Sequence, residues 1–273
     1  MKLWSSIAFS ITAFMAVIVL SLTTLVKINI LKSDAAAIPV YSSTPDKRVI
    51  FNENSYNDAK TNLKLLGIEL STGSDVKYGQ MTYTSPMGDD NDLLKGAKVL
   101  QEEFLKYSKN TITLSGLKKI YLVKNLSVNG QYRSGKPDPM LEDALYFDVS
   151  NKYLSSEDGS YMRRTYHHEF KHLIDYNLYN NYQGDSDNWD KCNTANFRYG
   201  NGGSSMYNNA DFAHSVHPVT GFINGYSTSG IEEDRAEVYA EIMTNPENLQ
   251  SLANNDANIL CKVSQTQNLQ KLL

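Results

Sequence analysis

The sequence has little of what marks several common classes of protein. Its 273 residues include only two cysteines, five histidines and seven prolines. The two cysteines do not form a C-x-x-C pair, which excludes a thiolate metal knuckle or a redox motif of that kind. A net charge of −4 without clustered Lys and Arg argues against a nucleic-acid-binding surface. An aromatic content of 11% excludes a disordered chain.

Only one long apolar run is present, and it extends from Leu3 to Val26. An uncharged stretch of this length favours a retained transmembrane helix, because the apolar part of a cleaved signal peptide usually has about 7–15 residues. A small-residue sequence from Ala35 to Ala37 keeps a cleaved signal peptide as the alternative. Both interpretations predict an extracellular or cell-surface protein, either secreted or anchored by one helix, and exclude a multi-span membrane protein.

The chain is therefore divided into three parts. Residues 1–37 are a signal peptide or membrane anchor, residues 38–60 a polar linker or leading arm, and residues 61–273 a single domain. Cys192 and Cys261 both lie in the exported domain, where an oxidising compartment permits a disulfide. The sequence leaves the bonded and the free form open.

Periodic patterns in this domain predict both helices and strands. Apolar residues at helical spacing from Leu93 to Tyr107 predict a helix capped by Asp90 or Asn91. Residues 125–140 are rich in glycine and proline and are predicted to be a connection. Residues 117–123 are predicted to be a strand, and residues 144–149 a half-exposed strand. Two further long helices are predicted over residues 160–179 and 231–243.

Three of the five histidines fall within six residues, and two of them belong to an H-E-x-x-H motif from His168 to His172. Residues four apart project from one face of a helix, so both imidazoles can reach one ion. Zinc accepts such nitrogen ligands and leaves a position for water. Glu169 is then placed to take a proton from that water. The motif predicts a catalytic site with one Zn²⁺ per chain.

A third protein ligand is needed, and the second motif supplies candidates. Asp175 and Leu178 occupy the Gly and third His positions of the metzincin motif, which excludes that class. Further along the chain, Tyr226 precedes an E-D-R-A-E segment that contains Glu233 and Glu237. The two motifs together resemble the gluzincin metallopeptidases, in particular the catalytic domain of anthrax lethal factor and the related bacterial families of zinc peptidases. The resemblance covers residues 165–241.

This resemblance implies a zincin-like metallopeptidase domain of the α+β class, with a small mixed sheet, an active-site helix and a second helix that bears the glutamate. It implies that Glu233 is the third zinc ligand and that Tyr226 donates to the oxyanion. Glu237 lies four residues after Glu233 and can accept the free N–H of a ligating histidine, and Asp175 is a second candidate for that role. The alternative register, with Glu237 as ligand and Glu241 as its support, stays open, although only Glu233 has a tyrosine at the matching offset.

The family resemblance also implies that an extended substrate pairs with an edge strand before the active-site helix. Residues 144–149 stand in that position, with a plain core strand as the alternative. His214 and His217, in the loop before the second motif, are candidates for an oxyanion donor or a substrate contact, with ordinary loop histidines as the alternative.

These observations predict an exported zinc metallopeptidase with a peptide or protein substrate. The membrane is a partner if the N-terminal segment is uncleaved, no nucleic-acid partner is expected, and no oligomeric state is predicted. The alternative function is a catalytically silent zincin-fold module for surface binding or adhesion.

Overall fold

A computed structural model describes residues 56–74, 76–78, 80–156 and 158–270. These residues form a small mixed sheet and ten α-helices, so the prediction of an α+β domain is confirmed at that level. The N-terminal apolar run and most of the predicted arm lie outside the described residues. Of the helices that the structure describes, none combines the length and apolarity needed to cross a membrane.

Strands and helices alternate irregularly along the chain. The strands are β1 Glu69–Ser71, β2 Val76–Tyr78, β3 Met81–Thr84, β4 Lys119–Val128, β5 Gln131–Tyr132, β6 Gly135–Asp138 and β7 Ala144–Asp148. The helices are α1 Tyr56–Leu66, α2 Asn91–Phe104, α3 Lys109–Ser115, α4 Asn151–Leu154, α5 Ser160–Tyr179, α6 Ser186–Asp190, α7 Ala210–Ala213, α8 Ile231–Thr244, α9 Pro246–Asn255 and α10 Ala257–Gln270. Two 3₁₀ turns lie at Gly203–Asn208 and Tyr226–Thr228.

The strand order of the sheet is β2-β3-β4-β7-β6. The long strand β4 pairs in parallel with β7 and with β1, whereas the β3–β4 and β6–β7 pairs are antiparallel. The short strand β5 pairs with the end of β4. In this order β7 is an internal strand, and β6 lies at the edge of the sheet.

The half-exposed strand predicted over residues 144–149 is wrong, and of the two alternatives left open there, an edge strand or a plain core strand, the structure has the core strand. All five residues of β7 are buried, because β7 lies between β4 and β6 and both of its faces are covered. Leu145 and Phe147 face the main core, while Tyr146 stacks on Tyr121 in a second apolar cluster. The edge strand β6 lies within the segment that the sequence predicts as a connection, since its glycine and proline hide the strand pattern.

The predicted helices are confirmed with small shifts at their ends. Asp90 caps α2 by accepting hydrogen bonds from the amides of Asp92 and Leu93, which satisfies two donors that the first turn leaves unpaired. The predicted apolar stripe of α2 is buried in the main core. The helix α5 has the predicted bounds. The helix α8 ends at Thr244, one residue later than predicted, and Pro246 begins the next helix because proline cannot continue α8.

Buried ion pairs fix the first turn of α8 against its neighbours. Arg235 donates to both oxygens of Asp175 in α5, at 2.8 and 2.9 Å. Burial raises the pKa of Asp175, but the charges and hydrogen bonds of Arg235 and Lys171 together outweigh burial and lower the pKa to about 2. Lys262 in α10 contacts Asp234 at 2.7 Å, and Trp189 donates to the same carboxylate oxygen. Removing one partner of such a pair leaves a buried charge uncompensated, so these contacts hold α8 in place.

A disulfide joins Cys192, just after α6, to Cys261 in α10. The two Cα atoms are 5.5 Å apart, and 69 residues separate them in sequence. The structure therefore contains the bonded form of the two alternatives that the sequence leaves open. The bridge closes a loop that contains α7, α8 and α9, so it restricts the unfolded chain strongly.

Replacing both cysteines by serine should lower the free energy of unfolding by about 4 kcal/mol, which is the loop-closure value for a loop of this size. Chemical denaturation of the wild type and of the double variant measures the difference. Wild-type protein treated with a reductant is the matched control and should show a similar loss. An unchanged free energy of unfolding in both samples would contradict the disulfide.

Candidate metal centre

The two sequence motifs meet where α5 packs against α8. The Nε2 atoms of His168 and His172 are 3.1 Å apart, because the residues lie one turn apart on α5. The Oε2 atom of Glu233, in the first turn of α8, lies 3.1 Å from the first nitrogen and 3.4 Å from the second. In the part of the chain that the structure describes, these three side chains are the group that could hold a metal ion.

The three donor atoms fit a tetrahedral cation. Zinc bonds to nitrogen and oxygen are about 2.0–2.1 Å long, which separates ligand atoms by roughly 3.4 Å in a tetrahedron. The observed separations of 3.1–3.4 Å are close to that value. Glu233 Oε2 is buried and receives no aligned hydrogen bond. A buried carboxylate oxygen without a donor is costly, and a cation between the three atoms would satisfy it.

The charges around His168 also favour a cation. Burial disfavours the protonated imidazole, but the carboxylates of Glu233 and Glu237 outweigh burial and raise the pKa of His168 to about 10. Burial would likewise raise the pKa of Glu233, yet the two facing imidazoles hold it below its usual range. Both shifts have one origin, since carboxylates surround the imidazoles and stabilise positive charge between them.

Glu237 contacts the opposite side of the His168 ring from Glu233. Its Oε1 atom lies 2.8 Å from Nδ1 of His168, and its Oε2 atom accepts hydrogen bonds from Arg164 and Asn224. When Nδ1–H donates to Glu237, the lone pair of Nε2 points toward Glu233 and His172. Glu237 thus contacts the Nδ1 atom of a candidate histidine ligand, as its spacing on α8 predicts. Glu233 is the carboxylate that faces both Nε2 atoms.

The prediction that Asp175 supports a ligating histidine is wrong. Both of its oxygens accept from Arg235, and Lys171 contacts one of them as well. The Nδ1 atom of His172 is buried without a hydrogen-bond partner. Two charge-assisted bonds to a guanidinium are stronger than one bond to a neutral imidazole, which explains why Asp175 turns to α8.

His167 stands next to the first motif histidine but faces away from the metal group. It is fully buried, and its Nε2 atom lies 2.7 Å from Glu103 of α2. Its Nδ1 atom lies 2.5 Å from the hydroxyl of Tyr107. This histidine therefore joins α5 to α2 and leaves the opposite face of α5 to His168 and His172.

A cleft of about 900 Å³ opens over the metal group. Glu169 and Tyr226 both line it, and the ring of Tyr226 has its centroid 6.0 Å from that of His168. His214 lines the cleft too, whereas His217 is held elsewhere by a 2.9 Å contact between its Nδ1 atom and the Phe222 carbonyl. The structure thus brings the predicted base and the predicted oxyanion donor to one cleft.

Two kinds of contact at the site could not be predicted from the sequence. Arg164 and Asn224 reach Glu237 from different segments, and no motif marks them. Gly203 approaches the site so closely that a Cβ atom there would collide with the Tyr226 hydroxyl and Glu233 Oε1. The Gly202-Gly203 pair in the polar loop is the only sequence signal for this close approach.

Comparison with known proteins found no relative of this chain. No protein-family model matches it, no curated protein matches it, and no solved structure matches it. The contacts of the metal group and the cleft are therefore the observations on which a function can be proposed.

The close approach of Gly203 predicts the effect of a single methyl group. Gly203→Ala should displace Tyr226 or Glu233 and weaken zinc binding about 10-fold, within the range seen when the supports of a metal ligand are lost. Competition with a chromogenic chelator measures the affinity.

Gly88→Ala is the matched control, because a Cβ atom at Gly88 meets no atom within 4 Å. This control should bind zinc as the wild type does. Equal affinities for the Gly203→Ala variant and the wild type would contradict the close approach.

Proposed function

We propose that the protein is a zinc-dependent metallopeptidase with a zincin-like domain of the gluzincin type. The observation that carries this proposal is the triangle of His168, His172 and Glu233 donor atoms under an open cleft that Glu169 also lines. Structural zinc sites usually have four protein ligands and are closed, whereas catalytic sites have three and keep a position for water. Three candidate ligands beside an open cleft match the catalytic kind.

The proposed chemistry assigns one role to each residue. Bound zinc would lower the pKa of a water molecule toward about 7 and polarise the scissile carbonyl. Glu169 would accept a proton from the water whose oxygen adds to the scissile carbonyl carbon, and would pass that proton to the amine nitrogen as the C–N bond breaks. Tyr226 donates its hydroxyl proton in a hydrogen bond to the carbonyl oxygen, where negative charge develops. Glu237 holds His168 in the orientation that presents Nε2.

An extended peptide is the substrate that the cleft suits. The edge strand β6 pairs with β7 on one side, and no other described strand covers its second side. A Cβ atom at Gly135 in this strand would lie 2.6 Å from Cγ of Glu169, so the strand passes directly beside the proposed base. Backbone groups on an open strand edge can pair with a peptide. We propose β6 as the substrate-pairing strand in place of residues 144–149.

The proposed location is outside the cytoplasm. The disulfide between Cys192 and Cys261 supports it, because such bonds persist mainly in oxidising compartments. The apolar run from Leu3 to Val26 supports it independently, as a retained anchor or as a cleaved signal.

The proposal is tested by separating zinc binding from hydrolysis. Glu169→Gln should lower cleavage of an unfolded protein substrate by about 10²–10⁴-fold, the range for loss of a general base. Elemental analysis should still find close to one zinc per chain. Glu232→Gln removes a second carboxylate of the same cleft and should retain most of the activity.

Three results would contradict parts of the proposal. Retained hydrolysis by Glu169→Gln would exclude this glutamate as the base. Wild-type protein without zinc would exclude the metal site. Zinc in the wild type without cleavage of any unfolded substrate would favour the alternative, a catalytically silent module for surface binding.

A further inference from the structure

Two glutamates of α8 contact the His168 imidazole, each at a different ring nitrogen. Glu233 and Glu237 lie one helical turn apart, and both contact His168, at 3.1 and 2.8 Å. Glu237 is buried, and the side chain of Glu233 is 12% exposed. Glu233 faces Nε2, the nitrogen beside His172, and Glu237 faces Nδ1, so the contacts that hold Glu237 at Nδ1 decide which carboxylate faces the metal group.

Arg164 makes the contact that distinguishes them. It lies one turn before His168 on α5, and its Nε and Nη2 atoms both donate to Oε2 of Glu237. Its Nη1 atom donates to Glu241, so a single guanidinium spans two carboxylates of α8. The structure shows no contact between Arg164 and Glu233 among the described residues. Arg164 therefore holds Glu237 by Oε2, the oxygen that does not contact His168, whereas Glu233 remains with the metal group.

The charge balance explains why this anchor matters. Glu237 and Glu241 are both buried, and a buried carboxylate must be paired with a cation or turn toward one. Although burial raises the pKa of Glu237, the Arg164 charge is the largest of the effects that lower it. The planar fork of arginine also fixes direction, which a point charge does not. Without Arg164, the Oε2 atom of Glu237 would keep only the neutral Asn224 amide among the partners that the described residues give it.

We propose that Arg164 is a positioning residue that assigns the roles of the two glutamates. By holding Oε2 of Glu237, it keeps Oε1 on the Nδ1–H of His168 and leaves Glu233 as the carboxylate ligand. The proposal rests on the metal site of the proposed function but not on peptide hydrolysis, because it concerns zinc binding.

Zinc affinity of purified variants tests the proposal, with chelator competition as the readout. Arg164→Gln should weaken zinc binding about 10–100-fold, the range for loss of a residue that orients a metal ligand. Arg164→Lys keeps the charge and loses the fork, so it should recover part of the affinity.

Arg163→Gln is a matched control. Arg163 is the adjacent arginine, has a similarly exposed side chain and also pairs with two glutamates, Glu102 and Glu103, on the side of α5 away from the metal group. Its loss should lower stability without changing zinc affinity. If Arg163→Gln weakens zinc binding as much as Arg164→Gln does, the effect is general loosening of α5 and the proposal is overturned.

A double variant shows whether Arg164 acts through Glu237. Arg164→Gln combined with Glu237→Gln should bind zinc no more weakly than Glu237→Gln alone, because the anchored group is already gone. Additive losses would overturn the proposal, as would wild-type affinity in Arg164→Gln. If Arg164→Gln does not fold, Arg164→Lys takes its place in both comparisons. Wild-type protein that binds no zinc would overturn the metal site together with this proposal, whereas zinc binding without hydrolysis would leave this test intact.

Discussion

The packing of α5 against α8 is the interaction on which the rest of the site depends. Both helices carry buried charges that need a partner of opposite sign, and several of these charges are paired across the interface. The pairs that cross the interface are Arg164–Glu237, His168–Glu233 and Asp175–Arg235. The sheet, α2 and α10 support this interface from outside. Within the described residues, the candidate metal centre is where two imidazoles and a carboxylate of this interface face each other.

Much of the fold could be predicted from the sequence, because local periodicity and capping residues carry that information. Asp90 caps α2 as expected, and α5 ends at the predicted residue, after which Asn180 has a left-handed backbone conformation. The H-E-x-x-H motif locates the two histidines on one face, since helical spacing fixes that geometry before any tertiary contact forms. The same spacing places Glu233 and Glu237 together on α8.

Contacts between distant segments could not be predicted in this way. The spacing of Asp175 allowed a bond to His172, but Arg235 is a stronger partner, and only the packed structure brings it near. Residues 144–149 have the pattern of a half-exposed strand, yet the face that carries Tyr146 packs against Tyr83 and Tyr121 in the second apolar cluster. Nothing in the sequence links Arg164 to Glu237, because they are 73 residues apart and belong to no common motif.

The most direct test of the central claim is a crystal structure of the zinc-loaded protein with anomalous scattering recorded at the zinc edge. The account predicts one peak about 2.0–2.2 Å from His168 Nε2, His172 Nε2 and a carboxylate oxygen of Glu233, with Glu237 still on Nδ1 of His168. A zinc ion bound by Glu237 in place of Glu233, or no peak at these three side chains, would contradict it.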